Sequence, residues 1–109
     1  MNLEHEIAQA KQTPSWKSSD RHATTLSKSE SLRLVLLGLH EGAELKTHSA
    51  PGIITVQVLE GHITFRTAQQ SSDLTAGQLL LLPAGIPHSV QAQQDSFFLL
   101  TVAIAAAKE

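Results

Sequence analysis

Two histidines in this chain stand beside chain reversals that would deliver their side chains to one end of a β structure. His88 closes the run Gly77-Gln78-Leu79-Leu80-Leu81-Leu82-Pro83-Ala84-Gly85-Ile86-Pro87-His88, in which an apolar strand leads into a tight Pro/Gly turn. His48 opens His48-Ser49-Ala50-Pro51-Gly52, just ahead of a second apolar run. Imidazole titrates near neutral pH, ligates divalent metals, and can donate or accept a hydrogen bond. A convergent pair therefore predicts an active-site-like cavity, since burying two imidazoles without a role would cost desolvation for no return.

The remaining polar side chains narrow the chemistry. The chain has no cysteine, which removes disulfides, thiolate metal sites and thiol nucleophiles. It has no tyrosine and a single tryptophan, Trp16, so flat stacking platforms for sugars or bases are hard to build. Ser15, Ser18 and Ser19 surround Lys17 in a polar arm and supply no nucleophile with a base, so no hydrolase triad is expected. Arg33 and Arg66 have the donor geometry to hold a carboxylate or phosphate, although surface solvation is the simpler reading of each. His5 and His22 fall in the N-terminal helix and arm and are assigned no role.

The elements that must position His48 and His88 follow from length and pattern. At 109 residues and 41% apolar content the chain suits one globular domain with a single core. Eight basic against ten acidic residues, with a formal charge of −2 and no block of one sign, argue against nucleic-acid binding. The longest apolar stretch, Phe97 to Ala107, is broken by Thr101 and falls well short of the roughly 20 residues of a membrane helix. It reads as a terminal strand. The N-terminus lacks the basic and apolar regions of a signal peptide, which makes the cytoplasm the expected location.

Residues 1–31 read as a helix and an arm, and residues 32–109 as the barrel. Leu3, Ile7 and Ala10 have helical spacing, Pro14 ends that helix, and Ser15 to Ser31 reads as an extended arm with one edge strand near Ala23 to Leu26. Trp16 is expected to pack on the barrel or on a second subunit. From Leu32 onward, β-rich runs alternate with turns: Leu32 to Leu39, Ile53 to Leu59, His62 to Thr67, Leu79 to Leu82, His88 to Ala92 and Phe97 to Ile104. That spacing predicts an all-β sandwich or barrel. Leu79 to Leu82 is apolar on both faces, and a homodimer partner would cover the outer one.

With these residues in place the chain resembles a small single-domain cupin, of the conserved-barrel or RmlC-like jelly-roll type. Gly77, Pro83, Gly85 and His88 fit the family's second motif, with Ala92 in place of its Asn. Gly42, His48 and Gly61 fit the first motif, where Ala50 replaces the second His and Ile54 the Glu. The resemblance covers residues 32 to 104 and implies a jelly-roll barrel. In metal-binding cupins three His and one Glu hold the ion, so the resemblance implies a site here reduced to His48 and His88. Two imidazoles are too few for a closed site.

Ile54, Val56 and Val58 alternate on one strand face and are expected to give the pocket an aliphatic wall opposite His48 and His88. The leading expectation is a barrel that binds a small organic ligand. An alternative is a metal-dependent enzyme of dioxygenase or isomerase type, holding one divalent ion (Fe, Mn, Ni, Cu or Zn) on His48, His88 and one imported ligand. His40, Glu44, His62 and Gln57 are the candidates for that ligand. Of these, His40 reads as a solvated turn residue, while His62 and Gln57 alternate away from the interior. A third expectation is a ligand sensor or partner subunit whose N-terminal arm carries the output.

Overall fold

The computed structural model describes residues 1–104, so the end of the apolar stretch that runs to Ala107 lies outside the described residues. Among the described residues nine antiparallel strands form two facing sheets, preceded by two short helices. The helices are α1 (Leu3–Lys11) and α2 (Pro14–Ser18). The strands are β1 (Arg21–Lys28), β2 (Leu32–Leu39), β3 (Glu44–His48), β4 (Ile53–Glu60), β5 (His62–Arg66), β6 (Ser71–Thr75), β7 (Leu79–Leu82), β8 (His88–Ala92) and β9 (Ser96–Ala103). A five-stranded sheet runs β1-β2-β9-β4-β7, and a four-stranded sheet runs β3-β8-β5-β6. This is the all-β barrel that the strand spacing predicts and the jelly roll that the resemblance implies.

The alternation of β4 sends Ile54, Val56 and Val58 inward, at 1%, 1% and 0% exposure. Across the sheet they meet Val102, Leu100 and Phe98 of β9. Ile63 and Phe65 of β5 and Val90 and Ala92 of β8 close the same core from the facing sheet. The interior is thus filled with side chains.

A second apolar cluster lies on the outer face of the five-stranded sheet, where Ile7, Ala10 and Trp16 from the helices cover Leu36 and Phe97. Trp16 therefore packs on its own barrel, its ring 4.7 Å from that of Phe97. Residues 15–31 are not a continuous extended arm. Pro14 opens α2 instead of only ending α1, because its fixed φ suits a first helical position and Thr13 caps the helix by accepting from the Trp16 amide. β1 then runs a full eight residues and pairs with β2 from Arg21↔Leu39 to Lys28↔Arg33.

β3 and β6 have no counterpart among the strands expected from sequence. Glu-Leu-Lys-Thr-His and Ser-Ser-Asp-Leu-Thr are mostly polar because each is an edge strand of the four-stranded sheet, with few side chains in the core.

Candidate functional site

His48 and His88 do converge. His88 starts β8 and His48 ends β3, and they are direct partners across the antiparallel pair, with ring centroids 4.5 Å apart and planes at 59°. The turn ahead of β8 depends on Gly85, whose φ of +78° is disfavoured for residues with a Cβ, and whose amide donates to the Ala50 carbonyl at 3.0 Å. That bond ties the two histidine-bearing turns together.

The position of His48 depends on a break in register. Leu45 pairs with Val90 and His48 with His88, so three steps along β3 match two along β8. Without this bulge, strict alternation would put Leu45 and His48 on opposite faces.

Both rings are held in the same way. His88 Nδ1 lies 2.9 Å from the Ile86 carbonyl oxygen, and His48 Nδ1 lies 2.9 Å from that of Lys46. A carbonyl only accepts, so each Nδ1 carries the proton and donates. Each neutral ring then keeps its Nε2 lone pair, and neither Nε2 has a hydrogen-bond partner among the described residues. His88 is 4% exposed and stacks on Phe65, with centroids 5.1 Å apart. Burial pushes its pKa below the ordinary 6.5; the Ile86 bond opposes this, and the charge of His48 adds to the lowering. His48 is exposed at the rim.

Open space lies at the rim and not along β4. A cavity of about 270 Å³ is lined by His88, Thr47, Arg66, Thr67 and Pro87, among others. It shares Thr67, Ala68 and Pro87 with a second cavity of about 530 Å³, walled by Leu81, Leu82, Pro83 and Ile86. His48, Ile54, Val56 and Val58 line neither cavity; the last three are packed core beneath the mouth. Arg66 and Thr47 were not apparent as rim residues in sequence. Their place at this rim arises only from the pairing of β8 with β5 and β3: Arg66 stands against Ser89 and reaches the rim from the outer face of the four-stranded sheet, while the His88 ring faces inward onto Phe65.

The candidates for a third metal ligand lie elsewhere. His40 is not a solvated turn residue: it stacks on Trp16 at 3.6 Å, and its Nε2 donates to the Trp16 carbonyl at 2.7 Å. His62 bonds Asp73 at 3.2 Å. Gln57 points out of the barrel, opposite to Ile54, and Glu44 is exposed at the far end of β3 from His48. Among the described residues no three His, Cys, Asp or Glu side chains are grouped to hold a metal. The donor set, two neutral imidazoles without a carboxylate, does not fit a resident divalent ion.

One contact outside the barrel was not foreseen. Ser15 Oγ hydrogen-bonds His22 Nδ1, and His22 Nε2 bonds Thr24 Oγ1 at 2.8 Å, pinning α2 to β1. Among the described residues no helix is long and apolar enough to cross a membrane.

Solved structures with this architecture include a conserved Streptococcus pyogenes protein of unknown function, 31% identical, with a TM-score of 0.76 over 80% of this chain and 76% of that one. An RmlC-like cupin from Desulfovibrio desulfuricans is 29% identical, with a TM-score of 0.70 over 76% of this chain and 81% of its own. A cupin-2 domain protein from Shewanella frigidimarina is 15% identical and shares the fold, with a TM-score of 0.75 over 94% of this chain and 93% of its own. No curated protein matches the chain at a significant level. The cupin domain family model matches residues 35–103, the span from within β2 to the end of β9, and the chain belongs to that family.

Proposed function

We propose that this cupin barrel binds a small organic molecule at its mouth, with hydroxyl or amine donors of the ligand on Nε2 of His48 and His88. The observation that carries this reading is the matched tethering of the rings: both Nδ1–H groups are committed to backbone carbonyls, which fixes each ring as an acceptor. The cavity beside His88 and its neighbour supply space, and Leu82, Pro83 and Ile86 supply an apolar wall for the rest of the ligand.

Thermal-shift measurements over a panel of small hydroxy and amino carboxylates and hydroxylated aromatic acids test the reading. A ligand present at 100 times its Kd stabilises by about 2.7 kcal/mol, on the order of 10 °C in Tm for a domain of this size. The expected result is stabilisation by at least one compound that is lost in His48→Ala. No stabilisation by any member of the panel would overturn it.

The proposal extends to a homodimer. Ile53, Leu79 and Leu81 are 48%, 57% and 61% exposed on the outer face of β4 and β7, beyond the part of the sheet that the helices cover. A second copy covering this edge would remove both apolar surface and the free strand of β7 from water.

A further inference from the structure

We propose that the ligand is a small organic acid and that Arg66 holds its carboxylate in the cavity beside His88; this rests on the mouth being the binding site. Arg66 and His88 line the same cavity of about 270 Å³. The Arg66 guanidinium donates once, from one terminal nitrogen to Gln91 Oε1 at 3.2 Å. That bond orients the group and leaves most of its five N–H donors unspent.

No carboxylate pairs with Arg66 within 4.0 Å among the described residues. The acidic side chain whose charge Arg66 feels is Asp73, on the neighbouring strand, and it is committed elsewhere. Asp73 Oδ1 accepts from Thr64 Oγ1 at 2.7 Å and lies 3.2 Å from His62 Nε2. The other groups beside Arg66, Gln91 and its register partners Ser71 and Ser89, are neutral.

Among the described residues the cavity has no acidic lining side chain, and Arg66 is its one cation. A single guanidinium matches a planar monoanion, which it can hold by two parallel hydrogen bonds, better than a dianionic phosphate that calls for further cations. Thr47 is in the same lining, and its hydroxyl can complete the carboxylate's hydrogen bonds. From there the space opens past Thr67 and Pro87 onto Leu82 and Ile86, which suits an acid with an apolar tail.

The test is an NMR titration of the ¹⁵N-labelled protein with 4-hydroxybutyrate, isosteric 4-hydroxybutyramide and inorganic phosphate, each at matched ionic strength. The hydroxy acid is expected to shift both the Arg66 Nε–H and His88 Nδ1–H signals, with the amide and phosphate at least tenfold weaker. Arg66→Gln should weaken the hydroxy acid at least tenfold with its backbone spectrum unchanged, and Arg66→Lys should be intermediate. Equal response to acid and amide in both wild type and Arg66→Gln would overturn the carboxylate anchor and leave the mouth site standing. A preference for phosphate would overturn it likewise. No response at His88 to any of the three would overturn both proposals.

Discussion

His88 is buried against Phe65 while its register partner His48 stands exposed at the rim, so two rings with the same backbone tether meet solvent very differently. The pair offers one dry acceptor and one wet one. This asymmetry has measurable consequences for pH and for metals.

His88 is expected to titrate below 6.5, with the Nδ1–H tautomer dominant at pH 7, as read by long-range ¹H–¹⁵N correlation spectra. Because its folded value lies below the unfolded one, the unfolded chain takes up this proton first as pH falls. The associated stability is complete above 6.5 and is lost as pH drops through 6.5 toward the folded value. The stability difference between wild type and His88→Gln should therefore move against wild type between pH 7.5 and 5. A difference independent of pH would refute the assignment.

Reconstitution with Fe(II), Mn(II), Ni(II), Cu(II) or Zn(II), followed by gel filtration and elemental analysis, is expected to leave less than one ion per chain. The reason is the donor set: Ile54 is 1% exposed within the core, and no carboxylate joins the two imidazoles. One tightly held equivalent would contradict this.

The strands of the main core and both site histidines were legible in sequence, because Ile54, Val56 and Val58 alternate cleanly and the Pro83 to Pro87 turn fixes where β8 begins. Less legible was everything set by pairing between distant strands. Arg66 reads as a surface residue until β5 is laid beside β8, and His40 reads as a turn residue until Trp16 is placed on it. The edge strands β3 and β6 carry few apolar side chains, so periodicity had little to register.

Trp16→Ala should destabilise the protein by roughly 3 kcal/mol in urea unfolding, since the ring is 8% exposed and packs on Phe97 and His40. Limited proteolysis should then cut within residues 1–20 well before the barrel. Equal protection in both proteins would show that the helices are held by other contacts.

Gly61→Ala should cost about 2 kcal/mol or more, because φ is +94° and an added Cβ would collide with Asp95 and Ser96. Ser96 is fully buried, and its hydroxyl both accepts from the His62 amide at 2.9 Å and donates to the His62 carbonyl, so it has little room to yield. A loss below about 0.5 kcal/mol, the size of an ordinary surface change, would mean the hairpin can rearrange.

Sedimentation equilibrium is expected to give a dimer for the wild type and a monomer for Leu81→Glu, whose side chain is 61% exposed on β7, with both proteins showing the same far-UV spectrum. A wild-type monomer at tens of micromolar would remove the dimer from the proposal.

The bulge in β3 makes residue counting, not residue identity, the address of His48. With the same residues in plain alternation from Leu45 opposite Val90, Thr47 would stand opposite His88 and His48 would fall one place beyond, on the other face. The extra residue of the bulge is thus what turns the His48 ring to the His88 side, and a strand one residue shorter would present the same pair without it.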